Sequence, residues 1–236
     1  MTIAVDLLVF EQFDLLDLGG PYEVFHAANR LAARRDRAAE FSPRTVGASG
    51  RPVRASGGLT VTPDTTVARA VQARSQAAPS GDGAHRAAAA DDGPAARVAV
   101  IPGAIDIDAV VGDGTTLQAI RSLADAADLV VSVCTGSVLL GAAGRLVGVA
   151  GATTHHEDLE VLARYLDVGE VVSDVRWVDA GTVVTGGGLS SGLSTALHVV
   201  HRLVAPQLAR AVAANLEHAW SPHDGVTLAA QVPGTA

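Results

Sequence analysis

The sequence predicts an α/β domain built on a mostly parallel sheet covered by helices on both faces. Three observations carry this. The stretches RVAVIP (97–102) and LVVSV (129–133) are continuous apolar runs rather than alternating ones, as in strands buried on both sides. Such runs alternate with helical stretches along the chain, the βαβ pattern of a parallel sheet. The 236 residues, 48% hydrophobic and 18% charged, fit a single domain with a full core, and no internal repeat divides them.

Taken in order, residues 2–9 form a first strand. The loop EQFDLLDLGG leads to Pro21, which the Gly-Gly turn places at the first position of a helix over 21–35. Residues 40–62 alternate polar and apolar around Gly and Pro, and predict short strands or a hairpin. The strand at 97–102 is followed by a helix at 116–127, the strand at 129–133 and a helix from about 136. Short strands near 151–155, 170–178 and 181–185 come next, with helices near 157–165, 190–204 and 206–218. Residues 75–96 contain no aliphatic side chain larger than alanine, and so predict a flexible insertion in a domain spanning 1–223. Residues 224–236 predict a loose C-terminal tail.

Composition excludes several classes. The net charge is −8 with no basic stripe, which argues against nucleic-acid binding, and no apolar run reaches the length of a membrane span. All 17 basic residues are arginine, so lysine Schiff-base chemistry and a Walker-type phosphate loop are absent. The N-terminus has no basic n-region or cleavage site, and the single cysteine cannot form an internal disulfide, so a cytoplasmic setting is expected.

That cysteine, Cys134, stands where a β-branched strand gives way to Thr135, Gly136 and Ser137. Strand, tight turn of small residues, then helix is the layout of a nucleophile elbow. The start of a helix favours the thiolate through its dipole and free N–H groups, and offers oxyanion donors, Thr135 N–H among them. An inert core cysteine is the competing reading.

VCTGSVLLGAAG with ATTHH at 152–156, LDLGGPYEVF at 16–25, VAVIPG at 98–103 and TGGGLSSGLSTAL at 185–197 together resemble the ThiJ/PfpI superfamily. The order of the motifs matches from residue 2 to about 218. Within it the DLxGP start and the VCTGS elbow resemble isonitrile hydratases, and also the sensor domains of AraC-type regulators. The resemblance implies a flavodoxin-like three-layer sandwich, a homodimer, no cofactor, and Cys134 as nucleophile. It makes Asp17 the general acid–base facing the sulfur, with Asp14 and Glu23 as nearby rivals. A carboxyl beside a thiolate has its pKa raised and can donate a proton. Thr135 adds a hydroxyl within reach of Asp17. Gly103 supplies an oxyanion N–H, but the glycine that usually follows is Ala104, which keeps the N–H and resists φ > 0. Gly187, in a glycine run without the spacing of a dinucleotide fingerprint, adds backbone near the substrate. His155, with His156 beside it, stands where many relatives place a histidine to pair with the thiol. Neighbours on a strand point to opposite faces, so no metal is expected there.

A second departure is LEHAWSPHDG (216–225), where isonitrile hydratases carry a proline-rich apolar segment. The implied activity is a hydro-lyase reaction on a small electrophile, isocyanide plus water giving N-formamide. The alternatives are glyoxalase, deglycase or amidase-type chemistry on the same elbow, or a non-enzymatic cysteine redox or small-ligand sensor. An AraC-like role is disfavoured, because the acidic chain stops at Ala236 without room for a DNA-binding helix pair.

Overall fold

Parallel strands buried on both faces need no alternation, and the centre of the sheet shows this directly. The computed structural model describes residues 2–34, 38, 40–77 and 96–228. All seven residues of β1 (Ile3–Val9) are buried, as are all four of β7 (Leu129–Ser132) and five of the six in β6 (Ala96–Ile101). These join β2 (Phe41–Gly47), β5 (Thr65–Thr66), β10 (Trp177–Asp179), β11 (Val183–Gly186) and β12 (Val226–Thr227) in one eight-stranded sheet. The strand order is β12-β10-β11-β7-β6-β1-β2-β5, and every pairing is parallel except β10 with β11. Two small accessory sheets pair β3 (Val53–Arg54) with β4 (Thr60–Val61) and β8 (Gly151–Ala152) with β9 (Glu170–Val171).

The helices form two groups. Helix α1 (Leu15–Ala33) packs with α7 (Ser191–Leu203) and α8 (Pro206–Asn215), while α2 (Val67–Ala77), α3 (Ile107–Val111), α4 (Gly114–Ala126) and α5 (Gly136–Ala142) pack with one another. The crossovers β1–α1–β2 and β6–α4–β7 advance in opposite directions along the sheet. Right-handed connections therefore put their helices on opposite faces. The short α6 (Leu159–Ala163) lies beside α5. The crevice where strand order reverses, at the carboxyl ends of β1 and β6, is where such sheets hold ligands.

The buried sheet also encloses charge. Asp6, in the middle of β1, is fully buried and takes a hydrogen bond from Arg44 Nε at 2.6 Å and another from buried Arg97 at 2.5 Å.

Several expectations are corrected. Helix α1 begins at Leu15, six residues before Pro21, because the Asp14 side chain accepts the Leu16 N–H at 3.2 Å and caps the first turn. Pro21 lies inside the helix and is buried, and its missing N–H leaves the Asp17 carbonyl without its helical donor. The sequence gives no signal for α2, whose last three residues overlap the expected insertion at 75–96. Residues 78–95 of that insertion lie outside the described residues, and Ala96 belongs to β6. The stretch 170–178 is two separate strands, and 151–155 is a strand of only two residues. Within the expected tail, Val226–Thr227 form β12 at the sheet edge, Val226 opposite Val178, and residues 229–236 lie outside the described residues.

Candidate active site

Three neighbouring loops at the carboxyl end of the sheet build the site. The loop after β1 is clamped first: Gln12 N–H donates to Arg54 O at 2.7 Å, Phe13 bridges Ala104, and Asp14 N–H donates to Gly103 O at 2.8 Å. This fixes the first turn of α1 against the loop after β6, and with it Asp17. The loop after β7 carries Cys134 at φ +56°, a left-handed conformation rare for a residue with a side chain. Its backbone is held on both sides. Cys134 N–H donates to Gly187 O at 2.9 Å, and its carbonyl accepts the Thr154 hydroxyl at 2.9 Å. The next residues must be small: a Cβ at Gly136 would run into the Ile101 carbonyl. The expected elbow is therefore present in its geometry.

Asp17 is wholly buried, and its Oδ2 accepts the Gly103 N–H at 2.9 Å. A Cβ at Gly103 would collide with the Thr135 hydroxyl and press on Asp17 Oδ2, so only glycine lets the three converge. The other carboxyl oxygen, Oδ1, is buried and has no hydrogen-bond partner. Burial pushes the Asp17 carboxyl up to about 7; the Gly103 bond opposes this, the Asp14 carboxylate adds to it, and the Cys134 thiol pulls weakly down.

The sulfur differs from expectation. Burial and the Asp17 carboxylate push the Cys134 thiol up to about 12, against the pull of the Leu189 and Thr135 N–H groups. The seven-residue helix α5 starts at Gly136, two residues on, while burial and the neighbouring carboxylate act against the thiolate that a helix start favours.

The expected oxyanion donors are largely spent. Gly103 N–H goes to Asp17, and Ala104 N–H goes to the Thr135 hydroxyl at 2.9 Å. Gly187 N–H goes to Arg176 O at 2.9 Å. The Thr135 hydroxyl bonds the backbone of Ala104, also at 2.9 Å to its carbonyl, and not Asp17. Alanine fits at position 104 because that residue has no positive φ and lies in the bridge to Phe13. Of the four named donors, only Thr135 N–H faces the sulfur. Its companion, Leu189 N–H, was not legible in the sequence: leucine is an unlikely residue type for its φ of +42°, and only the backbone path reveals it.

His155 does not bond Cys134. It precedes a 3-10 turn at His156–Asp158, its Nδ1 accepts the Glu157 N–H at 3.4 Å, and its ring packs against Gly188. Its Nδ1 also lies 3.6 Å from the Asp158 carboxylate. His156 is not on a strand opposite it; the two rings sit 4.4 Å apart at the same turn. Among the described residues no group of three or more His, Cys, Asp or Glu side chains could hold a metal ion. Asp14 caps α1, and Glu23 pairs with Arg30 on the exposed face of that helix.

Beside the elbow opens a cleft of about 740 Å³. Thr154, Gly187 and Leu189 line it, and so do Arg176, His223 and Asp224.

A parallel sheet with flanking helices, a left-handed cysteine after its central strand and an aspartate facing that cysteine define a class. A family model described as DJ-1/PfpI matches residues 4–202, and the chain belongs to that family. It is 33% identical to an isonitrile hydratase of Pseudomonas putida over 222 residues, 94% of this chain and 81% of that protein. Among solved structures it is similar to a ThiJ/PfpI family protein from Pseudomonas syringae (TM-score 0.70, 24% identity, 94% of this chain and 78% of that one). It is also similar to DJ-1beta of Drosophila melanogaster (TM-score 0.67, 17% identity, 93% of this chain and all of that one). No helix among the described residues is long and apolar enough to cross a membrane.

Proposed function

We propose that the protein hydrates isocyanides to N-formamides, with Cys134 as nucleophile and Asp17 as the group that moves the protons. The observation that carries this is the Asp17 carboxyl, which faces Cys134 and has its Oδ1 buried with no hydrogen-bond partner. A thiol beside a carboxyl group that takes up and releases a proton near neutral pH suits a reaction that adds S–H across one carbon.

In the first step the Asp17 carboxylate takes the thiol proton as Sγ bonds the terminal isocyanide carbon. The same proton passes to that carbon, giving a thioimidate, R–N=CH–S–Cys. Water then adds to the thioimidate carbon, with one of its protons going to nitrogen through Asp17. The C–S bond breaks, the hydroxyl proton returns to sulfur, and R–NH–CHO leaves. With its pKa raised to about 7, Asp17 is both proton donor and acceptor near neutral pH. Thr135 and Leu189 N–H groups stabilise the sulfur while it carries negative charge.

Two alternatives have less support. Amide hydrolysis on this elbow calls for a Cys–His pair, and His155 bonds its own turn instead. Redox sensing favours an accessible thiolate, and this sulfur is buried, which pushes its pKa up. As in the family it resembles, the chain is proposed to act as a cytoplasmic homodimer, which light scattering on the purified protein checks.

The test is turnover of cyclohexyl isocyanide, followed by loss of the isocyanide infrared band and appearance of the formamide. The wild type is expected to form the formamide and Cys134→Ala to form none. A wild type inert towards both alkyl and aryl isocyanides overturns the reading.

A further inference from the structure

The segment LEHAWSPHDG is where the sequence departs from the isonitrile hydratase pattern, and the structure seats it on the cleft beside the thiol. Trp220 Nε1 donates to Ser194 O at 3.2 Å, and His218 Nε2 lies 3.0 Å from Ser194 Oγ. Arg176 N–H donates to Asp224 O at 2.7 Å, so the end of the segment is joined to the strand-entry residue that faces it. The cleft wall is thus a fixed part of the fold.

This wall is connected to the thiol. Gly187 bridges the two, its carbonyl accepting Cys134 N–H and its N–H donating to Arg176 O, both at 2.9 Å. Thr154 and Leu189, which also line the cleft, bond the Cys134 carbonyl and face its sulfur. Leu189, whose N–H faces the sulfur, is where the cleft and the thiol adjoin, although Cys134 and Asp17 do not themselves line the cleft.

The cleft also carries an exposed cation, Arg176. The Arg176 guanidinium touches one polar side chain, Ser191 Oγ, at 3.5 Å. Among the described residues no carboxylate comes within ion-pair distance of it, although Asp174 and Asp224 share the wall. Those two are engaged locally: Asp224 Oδ2 accepts the Ser221 N–H at 2.7 Å, and Asp174 Oδ2 accepts the Ser173 hydroxyl at 3.0 Å. A planar guanidinium with free N–H groups matches a carboxylate in two parallel hydrogen bonds.

We propose that the cleft is a carboxylate subsite and that Arg176 holds it, so that the substrates of the Cys134 site are isocyanides bearing an anionic group. This rests on the hydratase reading and goes beyond it.

The test compares isocyanoacetate, 3-isocyanopropanoate and 4-isocyanobutanoate with their methyl esters, which differ only in charge at the far end. At least one acid is expected to exceed its ester by tenfold or more in kcat/KM, through a lower KM. Arg176→Gln is expected to bring that ratio close to one, and Arg176→Lys, which keeps the charge without the planar fork, to retain part of it. Equal treatment of acids and esters by the wild type, or an unchanged ratio in Arg176→Gln, overturns the proposal. Binding separates this outcome from the fate of the hydratase reading. Cys134→Ala protein is titrated calorimetrically with the matching N-formyl amino acids, with and without Arg176→Gln. If no isocyanide is hydrated, the hydratase reading falls, and the titration alone decides the subsite. Binding that Arg176→Gln abolishes upholds it, and the absence of Arg176-dependent binding overturns it.

Discussion

Asp6 and Asp17 are eleven residues apart, both wholly buried, and opposite in what surrounds them. Asp6 lies inside β1 with a guanidinium on each carboxyl oxygen, Arg44 on one and Arg97 on the other. Asp17 lies on α1 with one backbone N–H on Oδ2 and nothing on Oδ1. Burial alone therefore does not mark a functional carboxylate. A buried charge with all its bonds made is structural; a buried carboxyl with an idle oxygen, facing a reactive atom, is set to move a proton.

The largest test of this contrast is Asp17→Asn. It removes the proton carrier and keeps the shape, so kcat/KM for an isocyanide is expected to fall roughly 10²–10⁴-fold. Steady-state formamide production checks it, with a urea melt showing that the protein still folds. If Asp17→Asn keeps its activity, the distinction between the two aspartates collapses. Asp6→Asn should behave in the opposite way. It leaves buried Arg97 without its carboxylate and is expected to cost about 3–5 kcal/mol of stability, read from the urea midpoint. Activity per folded molecule should stay within a few-fold of wild type.

The third test concerns pH. The Asp17 pKa is raised from 3.8 to about 7 on folding, so between these values the folded state holds a proton that the unfolded chain has lost. The stabilisation is full below about pH 4 and is lost as pH rises through 7. The slope difference between wild type and Asp17→Asn is expected to sum to roughly 4 kcal/mol over that window. Denaturant midpoints at a series of pH values measure it, and parallel curves for the two proteins contradict the raised pKa.

Much of this was legible in the sequence, and the failures share a cause. The buried runs around Val98–Ile101 and Leu129–Val133 announce central strands because side-chain type alone decides whether a strand can be covered on both faces. Cys134 is legible as a candidate because it is the one thiol and follows such a strand, and Asp17 because the motif LDLGGPYEVF around it resembles the family's. The backbone was not legible. That the N–H groups of Gly103, Ala104 and Gly187 are already used, and that Leu189 supplies one instead, depends on which loop meets which, and residue type does not carry that information. Pro21 misled for a related reason: the Asp14 cap and the burial of one face of α1 outweigh a proline in the helix. Helix α2 escaped because its sequence, VARAVQARSQA, merges in composition with the alanine-rich stretch after it.

The antiparallel strand β10 would end the sheet but for β12, and both outermost strands, β5 and β12, are only two residues long. An edge this short offers little backbone for another chain to zip onto, so the sheet is protected against edge-to-edge aggregation without charged gatekeepers. On the β12 side the same two residues close the loop that carries His223 and Asp224. Cutting the chain after Gly225 would therefore bare the backbone of Val178 and Asp179 to other molecules and free the wall of the cleft in one stroke.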